Sequence, residues 1–376
     1  MILRPTKKYL IYFGYNGSNF PEMAKGSTGY GVMDFVRQTI TDSLFGLPPH
    51  RHPIFDQVRI SPSSRTDRGV HAIRNALALW YVPEHKCHLD DTPELRQHYI
   101  DDWNRRMQLA KPNSLTIEDF HEVSPGFCTR IHVQMRRYVY RIAVARSQEI
   151  YEAMRTEPST VCFSERDYAW FLPPGLDLYK VQKACELFHG THVVGSFFLH
   201  RDRDKRKEQR RGEYVKAIRY IEHCGVSKGE AYAFDNDLYD YYNVSVYSRS
   251  FVREQIRRMM GAIIAHGYDR IPLSLIKWLL ANPISDNFWG LRLRVAPPYG
   301  LHLVDVSYDP VDFVNPNPYV DNKVIVVGED GTMRERLEKN LDAEKEEREL
   351  DEDDEEDGDG DGLLEDDQRI VGSSQR

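Results

Sequence analysis

Asp67 stands between Arg65 and Arg68 in Ser-Ser-Arg-Thr-Asp-Arg-Gly-Val-His-Ala, residues 63–72. The strand-like Phe-Asp-Gln-Val-Arg-Ile-Ser-Pro precedes it and Ala-Ile-Arg-Asn-Ala-Leu-Ala-Leu-Trp-Tyr-Val follows, so the carboxylate sits on a loop between two rigid elements. Arg65 lies two positions before Asp67, which in extended backbone puts both side chains on one face. An arginine held there keeps a carboxylate charged and aimed, as a nucleophile or a base requires. The same residues also suit a plain turn, where an exposed Arg–Asp pair is worth about 0 to 1 kcal/mol.

Three further stretches carry chemistry-bearing side chains. Tyr138 and Tyr140 alternate in the basic Arg-Arg-Tyr-Val-Tyr; this is the pattern of a half-buried strand face, or else a platform on which an unstacked base rests. Phe-Val-Arg-Glu-Gln-Ile-Arg-Arg-Met-Met-Gly-Ala-Ile-Ile, from Phe251, has a buried stripe of Phe251, Ile256, Met259, Met260 and Ile263. Arg253 and Arg257 are four apart on the other face, directed to solvent or into a groove. A basic run from Arg201 to Arg211 suits a solvated loop or phosphate contacts. His189 and His192 lack a third ligand for a catalytic zinc, and Gly-Ser-Thr-Gly-Tyr-Gly from Gly26 lacks the Lys-Ser/Thr ending of a phosphate loop, so no metal is expected.

The elements that must hold these residues alternate between period 2 and period 3.6. Strands are expected at Lys8–Tyr15, Gln57–Ser61, Ala72–Val82, Leu115–Val123, Arg136–Ala145, Val215–Val226 and Tyr239–Ser250; helices are expected at Gly31–Phe45, Pro93–Met107, Leu178–Phe188, Phe251–Gly267 and Pro272–Asn282. In the strand from Arg136, Tyr138, Tyr140 and Ile142 share one face, and Val139, Arg141 and Ala143 the other. The break at Phe-Leu-Pro-Pro-Gly-Leu-Asp divides the chain into lobes at 1–172 and 173–309, with a tail at 310–376. Each lobe mixes hairpins with helices, which makes the fold class α+β.

The chain holds 58 acidic and 50 basic residues, but 17 of the acids and only 2 of the bases lie between Asp342 and Asp367; the rest has 41 acids against 48 bases. A mildly basic body accommodates a polyanion, and the low-hydrophobicity acidic segment is expected to be disordered and to compete for the same surface. Five scattered cysteines with no Cys-x-x-Cys pair read as reduced intracellular thiols. No apolar run reaches the roughly 20 residues that span a bilayer, so no membrane partner is expected. The acid-free basic start fits a mitochondrial address as well as a cytosolic or nuclear protein.

Taken together, these stretches resemble the TruA-type tRNA pseudouridine synthases, most nearly their animal branch. The resemblance runs in order through Tyr-Leu-Ile-Tyr-Phe-Gly-Tyr-Asn-Gly-Ser-Asn-Phe, the Asp67 signature, Phe-Cys-Thr-Arg-Ile-His-Val-Gln-Met-Arg-Arg-Tyr-Val-Tyr-Arg-Ile, Leu-Phe-His-Gly-Thr-His-Val-Val-Gly-Ser-Phe, the Arg257 helix and Arg-Val-Ala-Pro-Pro-Tyr-Gly-Leu-His-Leu-Val-Asp-Val, over about Lys7 to Tyr308. It implies two α+β lobes, each with a mainly antiparallel sheet, around a cationic cleft. It also implies isomerisation of uridine in RNA, tRNA above all, without any cofactor, by a homodimer. By position Asp67 matches the catalytic aspartate, Arg65 its paired arginine, Tyr138 the active-site tyrosine, and Arg257 the helix arginine; Arg253, Arg68 and His71 are further candidates for RNA contact. A carboxylate near C1' would act as nucleophile, or as stabiliser and base at the sugar, and Tyr138 would stack on the displaced uracil and serve the proton transfer at C5. Two departures stand out: most of the family has Ala where this chain has Arg68, and the bacterial Gly-Trp-Gln after the first strand is replaced by Pro-Glu-Met-Ala-Lys-Gly-Ser-Thr-Gly-Tyr-Gly. A non-catalytic RNA-binding or chaperone protein on the same scaffold is the alternative, and a hydrolase or nuclease using Asp67 with His71 a third.

Overall fold

The computed structural model describes residues 7–23, 31–45, 58–81, 89, 92–157, 161, 163–200, 217–232 and 237–314. The basic run 201–211, most of the Gly-Ser-Thr-Gly-Tyr-Gly stretch and the acidic segment lie outside them. In chain order the elements are β1 (Lys8–Tyr15), α1 (Val32–Phe45), β2 (Val58–Pro62), β3 (His71–Tyr81), α2 (Pro93–Ala110), β4 (Leu115–Val123), β5 (Val133–Ala145), α3 (Gln148–Thr156), α4 (Phe163–Arg166), β6 (Trp170–Leu172), α5 (Leu178–Glu186), β7 (Gly190–Val193), β8 (Ile218–Lys228), β9 (Tyr239–Ser248), α6 (Gln255–Gly267), α7 (Leu273–Ala281), α8 (Ser285–Gly290), β10 (Leu301–Tyr308) and α9 (Val311–Val314). Local chemistry sets several starts. Thr92 caps α2, with Pro93 in its first turn, and the Asp177 carboxylate accepts the Tyr179 and Lys180 amides at the start of α5.

The fold is α+β with a large, mainly antiparallel sheet. Its order is β4-β1-β3-β10-β5-β9-β8-β7, with β2 beside β3 and β6 beside β5; β10 with β3 and β5 with β6 are the parallel pairs. The sheets expected of the two halves run on as one. β5 pairs with β9 from Arg136↔Ser248 to Ala145↔Tyr239, and β10, from the far end of the described chain, inserts between β3 and β5. Both edges of β5 are thus hydrogen-bonded, so no open strand edge is left where the halves meet.

The faces of β5 divide as their alternation predicts. Tyr138, Tyr140, Ile142 and Val144 enter the main core with Val181 of α5 and Ile256, Met260 and Ile263 of α6. Ala143 and Ala145 join Val161, Ala169, Tyr239 and Tyr241 in a smaller core that Ile150 and Met154 of α3 cover. Arg141, on that second face, is buried in an ion pair with Glu165 and stacks over Tyr232.

One expectation needs correcting. The α6 helix begins at Gln255, not Phe251, because Glu254 takes a left-handed conformation with φ 61° that interrupts the helical path. Arg253 therefore lies in the turn before the helix and shares no helical face with Arg257.

Candidate active site

The loop 63–70 leaves β2 and enters β3 at His71, beside the start of β10. Buried groups pin it along its length. The Ser63 amide donates to Ala76 O at 2.7 Å and its hydroxyl to Thr129 O at 3.0 Å. The Arg136 guanidinium, 7% exposed, donates to the carbonyls of both Ser63 and Arg249. Burial pushes Arg136 below the usual arginine range, the expected cost of a desolvated cation. Asn75, fully buried on β3, donates to Ser64 O at 2.9 Å. Ser64 and Thr66, two apart, share hydrogen bonds with the buried phenols of Tyr138 (2.8 Å) and Tyr15 (2.7 Å). The loop then closes in a turn, Val70 N–H donating to Asp67 O at 3.1 Å, with Gly69 at φ 78°. A Cβ at Gly69 would be strained and also 3.1 Å from Pro298, so glycine lets the turn pack there.

With the backbone held, Asp67 meets a partner 190 residues away. Arg257 of α6 donates from Nη1 to Asp67 Oδ2 at 3.0 Å; the two side chains are 15% and 18% exposed. Arg257 Nε donates to Ala296 O at 2.8 Å and the Ala296 amide to Arg257 O at 3.1 Å, so the guanidinium is fixed on the far side as well. Glu254 lies 3.9 Å from Arg257 Nη1 and accepts from Arg258 at 3.0 Å, giving a chain of alternating charges Asp67, Arg257, Glu254, Arg258. Arg258 is buried over Phe288 and Trp289, and burial lowers its pKa. Tyr140 donates to Pro297 O at 2.7 Å, anchoring the segment that carries the Ala296 carbonyl.

Tyr138 is 5% exposed, its ring edge-on to Phe251 at 5.2 Å between centroids. Burial raises its phenol pKa, with the Asp67 carboxylate adding to the shift, so the ring is a neutral, packed neighbour of Asp67 rather than the open platform a basic strand suggested. Arg65, Arg68 and Arg253 are exposed, and the cation 3.0 Å from Asp67 is that of Arg257.

His71 is not available to RNA. It is 3% exposed; its Nδ1 accepts the Gly17 amide at 3.2 Å, and its Nε2 donates to Asp167 O at 2.8 Å. It stacks on His302, 5.0 Å away, and desolvation lowers its pKa. Both ring nitrogens are spent on backbone, so His71 fastens the end of the loop, and the hydrolase pairing of Asp67 with His71 has no geometry to support it. His189 and His192 likewise bond to the carbonyls of Cys224 and His189, and among the described residues no group of three His, Cys, Asp or Glu is placed to hold a metal. No described helix is long and apolar enough to cross a membrane.

The sequence singles out neither Ser64, Thr66 nor Glu254, and shows Arg136 only as part of a basic strand. Only one local signal pointed to a buried Arg136. It falls on the same face as Tyr138 and Tyr140, the face that goes to the core.

Residues 184–309 match the family described as tRNA pseudouridine synthase. The match takes in α6 with Arg257 and the whole of β10, so the chain contains a pseudouridine synthase domain. Among curated relatives, the chain is 28% identical to tRNA pseudouridine synthase-like 1 of Xenopus laevis over 80% of this chain and 91% of that one. It is equally close to its Homo sapiens counterpart, over 80% and 90%, and is 25% identical to tRNA pseudouridine synthase A of Mycoplasmoides gallisepticum over 81% and 92%. The domain is of the TruA type. A solved CRISPR associated protein Cas6, at TM-score 0.16 and 8% identity over 65% of this chain and 87% of that one, is too unlike to inform the fold.

Proposed function

We propose that this chain converts uridine to pseudouridine in tRNA, with Asp67 as its catalytic carboxylate. The observation that carries the reading is the 3.0 Å ion pair of Asp67 with Arg257, set beside the buried Tyr138 in a chain with a TruA-type domain. The isomerisation breaks the C1'–N1 bond, forms C1'–C5, releases the proton from C5 and leaves one on N1. No atom is gained or lost, so a carboxylate at the sugar and a positioned proton acceptor at the base suffice. Asp67 acts at the sugar. Arg257 holds its charge in place, and the fixed environment makes that placement effective because little reorganisation is left for the reaction step. Tyr138, whose phenol feels the Asp67 charge, is the group we assign to the base. Arg68 and Arg253 offer exposed cations to the phosphates, Arg65 is assigned with Asp67 as the resemblance implies, and the lobes 1–172 and 173–309 would bound a cleft between them.

The direct test is Asp67→Ala. Pseudouridine formation on tRNA transcripts should vanish while the RNA dissociation constant stays within about threefold. Full activity in the variant would sink the reading, and tight binding without any pseudouridine from the wild type would favour the RNA-binding alternative instead.

A further inference from the structure

We propose that Ser64 is a positioning residue of this reaction, its hydroxyl fixing the Tyr138 phenol beside Asp67; the inference rests on the function proposed above. The Ser64 and Tyr138 hydroxyls share a 2.8 Å hydrogen bond. Among the described residues Ser64 is the hydrogen-bond partner of that phenol, and the Phe251 contact orients the ring but leaves its hydroxyl unspecified. The serine does not follow the tyrosine; it is set from elsewhere. Its carbonyl is held by the buried Asn75, and the carbonyl of the preceding residue by the buried Arg136. Asn75 is itself locked, its Oδ1 accepting the Ala76 amide at 2.8 Å. Ser64 therefore presents a hydroxyl at a point fixed by β3 and β5, and the phenol takes its orientation from it. Asp67 lies three residues along the same pinned loop, so one backbone segment sets the carboxylate and the orientation of its aromatic neighbour together.

A hydrogen bond of this kind between neutral groups predicts a modest effect with a specific pattern. With tRNA transcripts bearing 5-tritiated uridine, the full-length Ser64→Ala variant should lose roughly threefold to tenfold in the single-turnover rate of tritium release. Its RNA affinity should stay within twofold, and Ser64→Thr, which keeps the hydroxyl, should recover most of the rate. In a Tyr138→Phe background, Ser64→Ala should cost nothing further, because the bond is already gone. A wild-type rate in Ser64→Ala, a Thr variant as slow as the Ala variant, or losses that multiply across the two sites would overturn the proposal. If Tyr138→Phe is too slow to measure, the Ala and Thr comparison decides alone. Absence of pseudouridine in the wild type, or activity in Asp67→Ala, would remove the function itself. Failure confined to the Ser64 variants would remove only this assignment.

Discussion

Replacing Arg257 with Met keeps the length of the side chain and removes its charge and donors. At 3.0 Å and an effective dielectric of about 20, the attraction to Asp67 is about 5.5 kcal/mol before desolvation. Desolvation of two side chains buried to this degree offsets much of it, leaving roughly 1.5 to 3 kcal/mol, the usual range for a hydrogen bond to a charged group. The lost donor to Ala296 O adds about 1 kcal/mol. Urea unfolding should therefore show a loss of about 3 kcal/mol in Arg257→Met. A cycle with Asp67→Ala should return a coupling of at least about 1.5 kcal/mol, because either change alone breaks the same contact. The rate should fall more than the stability suggests. A carboxylate free to swing by an ångström loses on the order of 100-fold in single-turnover pseudouridine formation, with little change in RNA binding. Arg257→Lys retains the charge, but one ammonium cannot reproduce the planar fork that serves Asp67 and Ala296 O at once; an intermediate loss of about tenfold is expected. A Met variant within threefold of wild type, or a coupling below about 0.3 kcal/mol, would refute the assignment of Arg257 as the group that holds Asp67.

Three other outcomes follow from single features. Burial holds His302 down at about 3, and charging it is opposed by His71 stacked at 5.0 Å. An unfolded chain takes up that proton near pH 6.5, so stability should be full above 6.5 and fall as pH drops toward 3; about 2 kcal/mol is lost from His302 by pH 5, read from urea midpoints at pH 7.5 and 5. Gly17→Ala would place a Cβ 2.1 Å from the Val70 carbonyl oxygen, where backbone must move, and should cost at least about 2 kcal/mol by the same measurement. Arg68→Ala should weaken tRNA binding and lower the slope of log affinity against log salt by about one, whereas an unchanged slope would make Arg68 a solvent-facing residue.

Much of the fold was legible from periodicity. The alternation in Leu115–Val123 and the stripe in Val32–Phe45 returned β4 and α1 with nearly the expected bounds, and α2 starts at the expected Pro93. The α6 start was missed because Glu254 takes a conformation that its residue type does not announce, and the short β6, β7 and α8 fell below the length at which a pattern can be read. Within the candidate site, Asp67, Tyr138 and Arg257 were each singled out in the sequence, and their roles were implied by the resemblance.

Their surroundings were not legible. The sequence by itself determined most of the longer strands and helices, that a turn carries Asp67, and that Tyr138 and Tyr140 share a face, because all of these depend on neighbours a few residues apart. Tertiary structure alone decided that the cation 3.0 Å from Asp67 comes from 190 residues away, that Arg136 is buried while Arg68 is exposed, that His71 is spent on two backbone groups, and that β10 joins the two halves into one sheet. An arginine has the same local signature at the surface and in the core. What separates the two is whether folding brings acceptors to its fork, and at Arg136 those are the carbonyls of Ser63 and Arg249, which only the assembled sheet places within reach.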